Sequence, residues 1–141
     1  MMPANVSSVA GSSKLPLRLR WSGLALGALT LAWLPVEDTH TLYLTIISLL
    51  WSAWLAGWLS AQPKVRAWLQ SGGWAFALLG AAAGLGSALA AVGLVIIKAG
   101  LHAHGFVDFS LFQLTQLLAR TPIWAVVGGL AGWVVSSFWQ R

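Results

Sequence analysis

Apolar residues run almost without interruption through four stretches of this chain, residues 21–36, 42–61, 74–97 and 122–139, and short polar segments separate them. The last three each come close to the roughly 20 residues that a helix rising about 1.5 Å per residue needs to cross a hydrocarbon core of about 30 Å. The first is shorter, but Arg18 and Arg20 lie just before it and can extend toward lipid headgroups. A signal peptide is the competing reading of that stretch. No small-x-small cleavage site follows it; Trp33-Leu34-Pro35 and an acidic pair do, which favours a retained helix.

The punctuation agrees with this division. Thr121-Pro122 predicts a helix start, with threonine available to cap and proline at a first-turn position whose N–H would be unbonded anyway. Gln62-Pro63 predicts a stop. Ser110 and Gln113 have capping-box spacing, and residues 110–119 carry too many polar side chains to cross a membrane, so a short interfacial helix is expected there. Residues 64–70, with Val65, Trp68 and Leu69, are expected to do the same on the opposite side, and residues 1–13 read as a disordered leader. The expected fold is all-α: a polytopic integral membrane protein, with residues 14–141 forming a four-helix transmembrane bundle and a short interfacial helix between spans three and four.

Small residues four apart let helix backbones approach closely in lipid, where apolar side chains alone give little driving force. Such pairs occur on every span: Gly23 and Gly27, Ala53 and Gly57, Gly80 and Gly84, Gly128 and Gly132. On the second span, at about 100° per residue, Ala53, Ala56, Gly57 and Ser60 share one face, which is expected to pack inside the bundle. Leu44, Ile47, Trp51, Trp54 and Trp58 form a nearly opposite stripe. Trp21, Trp33, Trp68, Trp74, Trp124 and Trp139 suit the interfacial belt where tryptophan usually concentrates, but Trp51 falls near mid-span. Trp51, Trp54 and Trp58 therefore mark an expected contact face, toward a neighbouring helix, another subunit, or a flat hydrophobic pigment or quinone.

Composition strengthens the membrane reading. Of 141 residues, 58% are hydrophobic and 8% charged, too apolar for a soluble domain of this size. The net charge of +5 comes from basic residues scattered along the chain rather than gathered on one face, so nucleic acid is not an expected partner. Lys14, Arg18, Arg20, Lys64, Arg66 and Arg141 fall on one side of a four-span arrangement, with Lys98 and Arg120 on the other. The positive-inside rule then predicts cytoplasmic termini. Lys98 is expected to reach toward lipid phosphates. The absence of cysteine excludes disulfides, thiolate metal sites and thiol redox chemistry.

All the acidic residues and histidines lie in two interruptions, Glu37-Asp38-Thr39-His40 and residues 102–108, which contain His102, His104 and Asp108. In a four-span arrangement both emerge on the outward side, where their nitrogens and oxygens suit a divalent cation. Haem ligation by His40 with His102 or His104 fits less well, because ligands in haem bundles come from within spans. The span interiors contain no ionisable residue, which disfavours a proton-driven carrier. Their hydroxyls, at Thr30, Thr45, Ser48, Ser52, Ser87, Ser136 and Ser137, are each able to bond their own helix. No His-Glu-x-x-His or Gly-x-Ser-x-Gly motif occurs, so catalysis is not expected. The expected role is an accessory, structural or assembly subunit of a larger membrane complex, in contact with lipid and with other subunits or copies of itself. The alternative is a small oligomeric channel or carrier whose acid and histidine cluster collects cations.

Overall fold

The computed structural model describes residues 16–36, 40–101 and 110–139, and over these the chain is helical, with no strand among the described residues. The elements are α1 (Leu17–Trp33), α2 (Thr41–Ala61), α3 (Pro63–Leu69), α4 (Gly73–Leu101), α5 (Leu111–Ala119) and α6 (Thr121–Trp139). Three helical runs are long and apolar enough to cross a membrane: α2, α4 and the run Leu111–Trp139 that joins α5 to α6. They are compatible with an integral membrane protein.

Local sequence explains where the elements break. Gln62 adopts an extended conformation ahead of Pro63, which opens α3 at the first-turn position where no N–H is needed. Gly72, at φ 136°, allows the sharp turn from α3 into α4, a backbone region that side-chain-bearing residues rarely enter. Ser110 and Gln113 form the capping box, the Gln113 N–H donating to Ser110 Oγ at 3.2 Å and the Ser110 N–H to Gln113 Oε1 at 2.8 Å. Thr121 does not cap as expected. Its buried hydroxyl makes no hydrogen bond among the described residues. Trp124 N–H instead donates to the carbonyl of Arg120, so α6 follows α5 after a one-residue break.

The tightest packing joins α4 to α6. A Cβ built on Gly80 would collide with the carbonyl of Gly128, one on Gly84 with the carbonyl of Trp124, and one on Gly132 with the carbonyl of Phe76. The pairs 76–132, 80–128 and 84–124 descend on one helix as they rise on the other, so the helices run antiparallel in a fixed four-residue register. Each glycine α-hydrogen points at a carbonyl of the facing helix, where weak C–H···O contacts and close dispersion add up over the seam.

The remaining helices extend this hairpin sideways. α2 packs on α4, and α1 lies antiparallel along α2, with Leu19 against Gly57, Gly23 beneath the Trp54 ring and Thr30 beside Trp51. This is an open row, α1–α2–α4–α6, in which α2 and α6 do not close into a tight contact among the described residues. The glycine pair on α1 does not serve backbone approach. Gly23 makes room for an indole, and Gly27 has open space where its side chain would stand.

At the His40 end of the row, Trp33 and Leu34 pack with Leu44, Ile47, Ala91, Leu94, Val95 and Leu117, tying α1, α2, α4 and α5 together. At the α3 end, Leu69, Ala75 and Phe76 form a smaller core. There Trp68 meets Trp74 edge to face at 5.6 Å, and the Arg66 guanidinium lies 5.9 Å from the Trp139 ring centroid.

Candidate functional site

Because the row does not close, α2 is flanked by two apolar grooves that open sideways. The first, of about 550 Å³, lies between α1, α2 and α4; its walls include Thr30, Trp51, Trp54, Gly86, Gly93 and Ile97. The second, of about 430 Å³, lies between α2, α4 and α6; its walls include Ala53, Ala56, Gly57, Gly128, Ala131 and Gly132. Neither groove is lined by an ionisable side chain. The small face of α2 thus opens onto the second groove instead of being sealed in a bundle.

The tryptophan stripe separates by position. Trp51 donates its indole N–H to Thr30 Oγ1 at 2.9 Å, and Trp54 donates to the carbonyl of Leu19 at 3.0 Å. Their rings meet edge to face at 5.7 Å, and both line the first groove. These bonds give each polar N–H a partner within the chain and leave the rings as apolar wall. Trp58 is half-buried and lines neither groove.

Most span hydroxyls bond their own helix: Thr30 to the carbonyl of Leu26 at 2.8 Å, Thr45 to Thr41 at 2.7 Å, Ser48 to Thr45 at 2.9 Å, Ser87 to Gly84 at 2.7 Å and Ser136 to Trp133 at 2.6 Å. Ser52 behaves differently. It is 7% exposed, makes no hydrogen bond among the described residues, and stands on the wall shared by both grooves. A hydroxyl without a partner in so apolar a setting leaves a donor for whatever occupies a groove.

Of the six candidate metal ligands, only His40 is described. It occupies the N-cap position of α2 with its side chain exposed. Glu37, Asp38, His102, His104 and Asp108 lie outside the described residues.

Lys98 departs from expectation. α4 continues beyond residue 97 to Leu101, so Lys98 belongs to the helix, and it is fully buried rather than extended to lipid phosphates. Its ammonium lies 4.4 Å from the centroid of the Trp33 ring, a cation–π contact between the ends of α4 and α1. Trp33 is accordingly buried, its ring covered by the Lys98 ammonium. A lysine near the end of an apolar run gives no sequence signal that separates these two placements.

No protein-family model matches this chain, and neither a curated protein nor a solved structure is detectably similar to it.

Proposed function

We propose that this chain is a four-span accessory or assembly subunit of a larger membrane complex, which it joins by receiving a partner's transmembrane helix in the groove between α2, α4 and α6. The observation that carries this reading is the groove's lining: small residues face each other from α2 and α6 with no charge between them. In lipid, a site with small walls admits a helix backbone close enough for dispersion and interhelical hydrogen bonds to hold it. Ser52 supplies a mid-span donor for a carbonyl or polar side chain of the incoming helix.

The antiparallel seam between α1 and α2 supports α1 as a fourth span. Its 17 residues cover about 26 Å at 1.5 Å per residue, and Arg18 and Arg20 extend its reach at one end. In this arrangement α5 marks the outer interface, the termini lie in the cytoplasm, and the His40 end faces outward.

The test is extraction in a mild detergent, followed by native electrophoresis of the wild type and an Ala53→Leu/Ala131→Leu variant. Both alanines are exposed and line the groove, so the added bulk enters it. The expected result is a large hetero-complex for the wild type and release of this chain, with helicity unchanged, for the variant. A wild type that migrates as a lone chain or small homo-oligomer, or a variant that stays in the complex, would overturn the proposal.

A further inference from the structure

We infer that the other groove, between α1, α2 and α4, binds one isoprenoid quinone, a ring carbonyl accepting the Ser52 O–H and the tail lying along α4. Four polar side chains stand in its walls: Thr30, Trp51, Ser52 and Trp54. Three of them spend their hydrogens inside the chain, Thr30 on the carbonyl of Leu26, Trp51 on Thr30 Oγ1 and Trp54 on the carbonyl of Leu19. The Ser52 hydroxyl is 7% exposed and has no such partner among the described residues. Its Oγ lies 3.6 Å from where a Cβ on Gly86 would stand, and Gly86 lines this groove and not the opposite one, so the hydroxyl is aimed here. A buried O–H without an acceptor costs free energy, and the groove therefore makes one polar demand of its occupant: an acceptor at the level of Ser52.

Depth identifies the occupant. With α2 crossing the bilayer, Ser52 is one residue from the middle of its 21 residues, within about 2 Å of the midplane. The headgroups and ester carbonyls of phospholipids and the hydroxyls of sterols lie at the interface, about 15 Å away, and a plain hydrocarbon brings no acceptor at all. A quinone is neutral, dissolves in the hydrocarbon core and carries its carbonyls there. The walls suit a flat ring. Trp51 and Trp54, set at 80° to each other, present ring surface beside Ser52 while their N–H groups are bonded to α1. Ala82, Gly86, Ala90 and Gly93 make the floor a narrow strip of small residues. From Gly86 it continues for about 16 Å to Ile97 at 1.5 Å per residue, which gives a prenyl tail an apolar track. No ionisable side chain lines the groove, so these residues hold and orient the ring and move no proton. Ser52 has one proton to give; with the quinone bound, a helix in the opposite groove is held by its small-residue packing.

The experiment is native mass spectrometry of the full chain, purified in detergent and offered decylubiquinone, phylloquinone, squalene or dioleoyl phosphatidylcholine. The wild type should retain one quinone in preference to squalene and to phosphatidylcholine. Ser52→Ala should lower quinone retention about five-fold, the equivalent of one hydrogen bond of about 1 kcal/mol, and leave squalene unaffected. Gly86→Leu, whose Cβ meets only Ser52 Oγ at ordinary contact distance, should fill the groove and remove quinone retention with helicity unchanged. No quinone on the wild type, squalene retained as well as the quinones, or either variant retaining them in full would each overturn the inference. Release of a partner protein by Gly86→Leu, from a chain that retains no quinone, would also overturn it and assign the groove to a helix. Complex formation is scored with the Ala53→Leu/Ala131→Leu variant of the opposite groove, so either proposal can fail without the other.

Discussion

The carbonyl of Gly128 stands where a side chain on Gly80 would be, and the carbonyl of Gly80 stands where a side chain on Gly128 would be. Neither obstacle is a flexible side chain, so relief requires the two helices to separate. Gly84 against Trp124 and Gly132 against Phe76 repeat the relationship one turn to either side.

Gly84→Ala should therefore destabilise the protein by at least about 2 kcal/mol, the range expected for overpacking a close interface. Gly27→Ala and Gly93→Ala, whose added methyl groups meet nothing within 4 Å, should stay within about 0.5 kcal/mol of the wild type. Reversible unfolding in mixed micelles measures all three. Equal losses at the three positions would show that the α4–α6 seam is not the tight one.

Thr30, within a turn of the end of α1, and Trp51 of α2 join the α1–α2 seam by one hydrogen bond of 2.9 Å. A double-mutant cycle with Thr30→Val and Trp51→Phe should give a coupling of about 0.6 kcal/mol, the average for side-chain hydrogen bonds between membrane helices, whose maximum is about 1.7 kcal/mol. Strict additivity of the two substitutions would mean that the bond contributes nothing.

Lys98→Met keeps much of the buried side-chain volume and removes the charge over Trp33, so hydrogen exchange at residues 31–36 should accelerate as the end of α1 loosens. Trp33→Phe retains a weaker aromatic face and should produce a smaller acceleration than Trp33→Leu. Identical rates for the phenylalanine and leucine variants would rule out a cation–π contribution.

The cysteine-free sequence makes topology directly measurable. His40→Cys and Ser110→Cys should react with a membrane-impermeant maleimide from the outside of intact cells, and Lys64→Cys only after permeabilisation; all three positions are exposed. Labelling of positions 40 and 64 from the same side would remove α2 as a span.

Much of the fold was legible in the sequence because bilayer length and backbone satisfaction constrain apolar helices strongly. The stretch 42–61 became α2 with one residue added, and the capping box read from the spacing of Ser110 and Gln113 is present. The glycine pairs at 80, 84, 128 and 132 were readable as close-contact positions, but their partners were not. Spacing on one helix does not say which neighbour supplies the carbonyl. The same limit applied to Gly23 and Gly27, which look like a second close-packing pair and instead seat Trp54 and leave a gap. For the candidate site, Trp51 and Trp54 were identifiable by depth and period, whereas the grooves arise because α2 and α6 stay apart, a relation among three helices that no single-helix pattern carries. Ser52 was indistinguishable from the other hydroxyls until the orientation of each toward its own backbone was known.

The antiparallel glycine seam has a bearing on biogenesis. It lies wholly in the second half of the polypeptide, whereas α1 and α2 leave the ribosome first. Until α4 arrives, the early pair has little beyond two indole hydrogen bonds and modest packing to hold its helices together. On the proposed four-span topology the N-terminal portion is threaded before it is anchored, and insertion of the C-terminal hairpin converts that loose pair into a settled assembly.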